Sequence, residues 1–167
     1  MLICVKDEHP DFYINYIMNP KSVKAVMVKL DVAEQPSLFI LLGEDGSVNR
    51  LGTGAVDNDE RDMFIGRTNE PLFLAVRSKI RPEWMERFGS YDIPDKVGST
   101  CKLSILFSGL DSEEGDLTFV YGAESHGPPP DICDFVRYAV RVTNRWYEKQ
   151  KRVMSSPNHK KPWWRFW

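Results

Sequence analysis

The chain lacks most of the signatures by which a sequence declares its chemistry. No stretch approaches the roughly 20 consecutive apolar residues of a membrane-spanning helix. The apolar start Met1-Leu-Ile-Cys-Val has no basic residues before it and is broken by Lys6, Asp7 and Glu8, so no secretory signal is expected. Cysteine is scarce: Cys4, Cys101 and Cys133 are odd in number and widely spaced. That pattern favours reduced, mostly buried thiols and a cytoplasmic setting over a disulfide framework.

Metal and nucleotide motifs are missing as well. The three histidines, His9, His126 and His159, lie far apart, and no two cysteines form a close pair. A zinc site would have to be assembled from four distant ligands. Asp57-Asn-Asp59-Glu-Arg-Asp62 has the density of a calcium loop but fails the EF-hand template: Asp62 stands where glycine is required and Thr68 where the bidentate glutamate is required. The glycines of Gly43…Gly46 and Gly52-Thr-Gly54 are not followed by a GK[ST] ending or a helical pattern, so they are read as turn and loop glycines. The nucleophile elbow Gly-x-Ser-x-Gly occurs nowhere. No cofactor and no metal is expected.

Charge of one sign is not in excess overall, with a formal net charge of −2, but it is unevenly placed. Asn144–Trp167 holds seven Lys/Arg against one Glu, whereas Met1–Thr143 holds 15 Lys/Arg against 23 Asp/Glu. An acidic body with a basic end implies that the end lies on its own body or reaches an anionic partner. The end is also aromatic: three of the five tryptophans fall in the last five residues, Trp163-Trp-Arg-Phe-Trp167. Exposed indoles gain nothing in water, so this tail is expected to dock, either on its own domain or on a partner.

Hydrophobic patterning gives the fold class. Phe12–Ile17 and Val23–Leu30 read as strands around an Asn19-Pro20-Lys21 turn. The apolar run Ser37–Leu42 is followed by Asp45-Gly46, which suits a tight hairpin returning through Val48–Leu51. Leu72–Val76 is a further strand candidate. Gly52–Asp62 and Tyr91–Ser99 read as loops, and Arg81–Phe88 as a short helix opened by Pro82. Cys101, Leu103, Ile105 and Phe107 alternate along one strand, and Leu117, Phe119 and Tyr121 along its return. Gly127-Pro-Pro-Pro130 ends strand structure. From Asp131, placed to cap a helix, Ile132, Phe135, Val136, Ala139, Val140, Thr143, Trp146 and Tyr147 recur at helical spacing. Asp134, Arg137, Arg141, Arg145 and Lys149 take the opposite face.

The expected architecture is α+β: an antiparallel sheet, its degree of curvature open, packed by one long C-terminal helix, with a short helix near 81–88. Residues 1–153 form a single domain, and 154–167 a linker with the aromatic, basic tail. The functional expectation is a small cytoplasmic, non-enzymatic domain that binds another protein, of the bacterial-immunity or adaptor type. Its contacts would be acidic loops, with Asp57, Asp59, Glu60 and Asp62 steering a basic partner, or the tail through Trp163, Trp164, Arg165 and Trp167. Two alternatives stand beside it. One is an enzyme with its site where the last hairpin meets the helix, using Glu124 and His126, with Ser125 or Ser108 as nucleophile. The other is nucleic-acid or membrane-surface association through the tail, which the acidic body disfavours for nucleic acid. Cys133, in the first turn of the helix, is either an activated thiol or a packed one.

Overall fold

The computed structural model describes residues 19–55, 60, 62–109 and 114–155. The expected strand Phe12–Ile17 and the tail from 156 onward lie outside them. A short 3₁₀ turn, Pro20–Ser22, is capped by the Asn19 side chain, which accepts from the Lys21 N–H. It leads into a four-strand meander, β1 (Ala25–Val32), β2 (Gln35–Gly43), β3 (Ser47–Leu51) and β4 (Phe64–Arg67). Two short helices follow, α1 (Leu72–Arg77) and α2 (Pro82–Met85). Then come β5 (Gly89–Asp92), β6 (Thr100–Ser108), β7 (Glu114–Gly122) and the long helix α3 (Pro130–Ser155). Together the strands make one seven-stranded sheet in the order β4-β3-β2-β1-β6-β7-β5.

The sheet is mixed, which corrects the expectation of a purely antiparallel one. β5 pairs parallel to β7, with Gly89 opposite Leu117 and Asp92 opposite Val120. The reason is topological. The chain reverses between β5 and β6 and again between β6 and β7, so β5 and β7 run the same way and meet at the sheet edge.

The hairpin signals were sound where glycine marked them. Asp45-Gly46 turns β2 into β3 with Gly46 at φ +84°, and Leu42 faces Val48. The β1–β2 turn uses Ala33 and Glu34, both at positive φ (+48° and +63°). These are poor residues for that conformation, so the turn leaves no mark in the sequence.

Leu72–Val76 is helical rather than a strand. The residues it buries are Leu72, Phe73 and Val76, while Leu74 is exposed. That is the i, i+1, i+4 pattern of a helix face; a half-buried strand would have put Leu72, Leu74 and Val76 on one side. The expected helix near 81–88 forms with Pro82 in its first turn but ends at Met85.

One sheet face carries the core. Val26 and Val28 of β1, Ile40 and Leu42 of β2, and Ile105 and Phe107 of β6 are essentially inaccessible. They form one cluster with Ile132, Phe135, Ala139, Trp146 and Tyr147 of α3 and with the buried sides of α1 and α2. A 26-residue amphipathic helix cannot leave such a stripe in water. It lies along the sheet, and Trp146 packs on β4 at Gly66, where an added methyl group would sit a tight 3.1 Å from its ring.

Candidate functional site

The residues proposed for catalysis do not converge. Glu124 and His126 are both exposed, and neither lines any of the grooves described below. The Ser125 hydroxyl is used within the turn: it donates to the Gly122 carbonyl at 3.0 Å and accepts from the Gly122 N–H at 3.2 Å. Ser108 sits at the opposite end of β6, roughly 27 Å of strand away. Cys101 and Cys133 are free thiols, and burial raises the pKa of both. Cys133 donates to the Pro128 carbonyl at 3.4 Å, so the helix N-terminus does not activate it.

The acidic-loop residues divide differently from expectation. Asp57 and Asp59 lie outside the described residues, as do Trp163, Trp164, Arg165 and Trp167 of the tail. Asp62 is exposed. Glu60 turns inward, accepting from the Tyr147 hydroxyl at 2.7 Å and from Lys151 at 2.9 Å, and so ties its loop to α3. Beneath it lies Arg50, fully buried although charged. Strand parity puts Arg50 on the same side as Val48, facing the core. Its Nε donates to Thr143 at 3.2 Å and its Nη1 to the carbonyls of Leu51 and Gly52, while the guanidinium stacks 4.8 Å from the Tyr147 ring. Tyr147 in turn accepts from the Gly52 N–H at 3.0 Å. Burial lowers the Arg50 pKa to about 10, which still leaves it charged at neutral pH. This cluster is a latch between the loop after β3 and α3.

The latch makes stability pH-dependent. Hydrogen bonds from Lys151 and Tyr147 hold the Glu60 carboxyl below its ordinary value. A carboxyl whose folded pKa is depressed contributes stability above its unfolded pKa and loses it as pH falls through the folded value. Thermal melts from pH 7 to pH 3 should therefore fall more steeply for the natural chain than for Glu60→Gln; parallel curves would remove Glu60 from the latch. On the alkaline side the signs reverse. Bonds to Glu148 and Glu60 raise Lys151 to about 12, and burial first, then Glu60, raises Tyr147 to about 12. Their contribution is intact below their ordinary pKa values and fades as pH climbs towards 12.

The feature best suited to contact another molecule is a groove between the α1–α2 connection and the first turns of α3. It is open, about 470 Å³, and its walls combine Lys79, Arg81, Arg137 and Arg141 with Trp84 and Tyr138. Its rim is pre-ordered. Asp131, in the first turn of α3 rather than ahead of it, accepts from the Trp84 indole N–H at 2.8 Å and lies 3.9 Å from Arg81. Burial works against the Asp131 anion, but that indole bond and the backbone N–H groups of the helix start outweigh it and keep its carboxyl low. Asp134 pairs with Arg137 at 2.9 Å. The Lys79 ammonium and the Arg141 guanidinium sit 5.3 and 5.2 Å from the centroid of one ring, Tyr138. Neither makes an ion pair among the described residues. Beyond the groove the helix carries a second open depression, about 670 Å³, lined by Arg145, Lys149 and Arg152 among others.

In the sequence Arg137, Arg141, Arg145 and Lys149 mark only the polar face of a helix, and nothing there relates Tyr138, Lys79 or Arg81 to them. The available signal was Tyr138 itself, an aromatic ring between two arginines on the polar side of an amphipathic helix. Among the described residues no three His, Cys, Asp or Glu side chains stand together to hold a metal ion. No helix there is long and apolar enough to cross a membrane. No family model matches the chain, and searches of curated proteins and of solved structures find no significant similarity.

Proposed function

We propose that the chain is a protein-binding domain with no reaction of its own, of the immunity-protein or adaptor type, and that it docks its partner on the helical layer. The observation that supports this reading is the groove around Tyr138. It is shallow and open rather than enclosed, and it mixes aromatic rings with arginines, the residue types enriched where proteins meet. The buried base under it is rigid: Trp84 packs edge-on against Phe135 with centroids 5.2 Å apart. A surface whose anchors are already held loses little side-chain entropy on binding. The reduced thiols fit a cytoplasmic setting for such a domain.

A photo-crosslinking amino acid at position 138 of the full chain, expressed in its native cells, tests this directly. One discrete protein adduct is expected there. None is expected from the same probe at Lys102, exposed on the sheet face turned away from α3, and reversing Lys79 and Arg81 to Glu should abolish the adduct. Equal adducts at positions 138 and 102, or none at 138, would overturn the proposal.

A further inference from the structure

Resting on that reading, we infer that the groove and the helix ridge beyond it bind an acidic, extended segment of the partner, with one carboxylate seated beside Tyr138 against Lys79 or Arg141. The charge arrangement points this way. Arg81 and Arg137 already have carboxylates beside them in Asp131 and Asp134. Lys79 and Arg141, both set against the Tyr138 ring, have none among the described residues. A carboxylate entering beside that ring gains a charge-assisted contact with either cation and meets no partner it must displace.

The ridge repeats the theme. Arg141, Arg145, Lys149 and Arg152 are all exposed on α3 and make no ion pair among the described residues. They recur every three or four residues, so successive cations rise by about 6 Å along the helix. An extended peptide places alternate side chains on one side about 6.8 Å apart. Carboxylates at every second residue therefore keep approximate step with the cations over three or four pairs. A nucleic acid is less well matched. Among the described residues of the ridge no aromatic ring is exposed for a base to stack on, Trp146 and Tyr147 being 4% and 1% exposed.

The test uses ¹⁵N-labelled full-length protein titrated at low salt with decaglutamate, with decalysine as the sign control and a ten-nucleotide oligothymidylate as the nucleic-acid control. Decaglutamate should shift the amides of 79–84 and 134–141 and then those towards Arg152. Raising salt should weaken it, and the Lys79→Glu/Arg141→Glu pair should weaken it about tenfold. The milder Arg141→Gln, checked by its melt, should weaken it less and guards against a misfolded double variant. Decalysine should leave the groove unshifted. An unshifted groove, equal binding by the double variant, or tighter binding of the oligonucleotide at the same amides would each overturn the inference. If a partner still crosslinks at position 138 while decaglutamate leaves the groove silent, docking there stands and its acidic character fails. If neither is seen, the docking reading fails too.

Discussion

Tyr147→Ala is expected to lower the free energy of unfolding by about 3–5 kcal/mol, the cost of deleting a large buried aromatic ring. Tyr147 is 1% exposed and belongs to the core cluster. Its ring meets Phe64 of β4 edge-on with centroids 5.5 Å apart and lies under the Arg50 guanidinium. Its hydroxyl connects the Gly52 N–H to Glu60. The truncation thus opens a cavity and removes the cation–π partner of a buried charge in one step. Tyr147→Phe isolates the polar part. It keeps the ring but removes the hydroxyl that accepts from the Gly52 N–H and donates to Glu60, a loss of about 1–3 kcal/mol. Urea unfolding of the three proteins at neutral pH measures both steps. If Tyr147→Phe were as damaging as Tyr147→Ala, the packing account would fail. If it were neutral, the latch would contribute nothing.

That latch shows where sequence reading stops. Tyr147 was legible as a core residue because it falls on the apolar stripe of α3. Its partner was not. Arg50 lies in a short strand whose parity with Val48 turns it inward, but an arginine in a strand is normally taken as solvent-facing. Its burial depends on Thr143, Tyr147 and two nearby backbone carbonyls meeting at one point, and the two side chains come from α3, Thr143 lying 93 positions along. The inward turn of Glu60 is hidden for the same reason. Acidic loop residues are usually solvated, and a bond from Lys151, 91 positions along, ties this one to α3.

The elements followed a similar rule. The β6–β7 hairpin and α3 were readable because nine to twenty-six residues of consistent period leave little choice. α1 is ambiguous in the sequence because five apolar residues, Leu72–Val76, satisfy either period, and burial, decided by tertiary packing, breaks the tie. β4 and β5, four residues each, have no periodicity to detect and are strands only because β3 and β7 offer them an edge. The groove was lost with them: one wall descends from α1, read as a strand, so Lys79 and Arg81 had no defined relation to the helix carrying Tyr138.

Gly122→Ala is expected to destabilise the fold by about 1–3 kcal/mol, the usual range for overpacking a tight site. The position ends β7, and a methyl group there would overlap the backbone nitrogen and oxygen of Val97. Flexible side chains can swing aside, but this backbone is pinned. The Ile93 N–H donates to the Val120 carbonyl at 2.9 Å, the Ala123 N–H to Ser99 at 2.9 Å, and the Glu124 N–H to Val97 itself at 3.0 Å. Making room means breaking at least the last of these and disturbing the Ser125 hydroxyl that bridges the turn. Gly127→Ala, five residues on, is the control. The nearest atoms there belong to the Tyr121 ring at 3.6 Å, an ordinary contact, so its effect should stay within about 0.5 kcal/mol. Chemical denaturation of both variants separates steric crowding from a general loss of glycine flexibility in this turn. The same experiment bears on the alternative enzymatic reading, because the turn carries Glu124 and His126. If Gly122→Ala were as harmless as Gly127→Ala, the connection 93–99 would be free to move off the turn, and the fixed, dispersed placement of those two side chains would lose its structural basis.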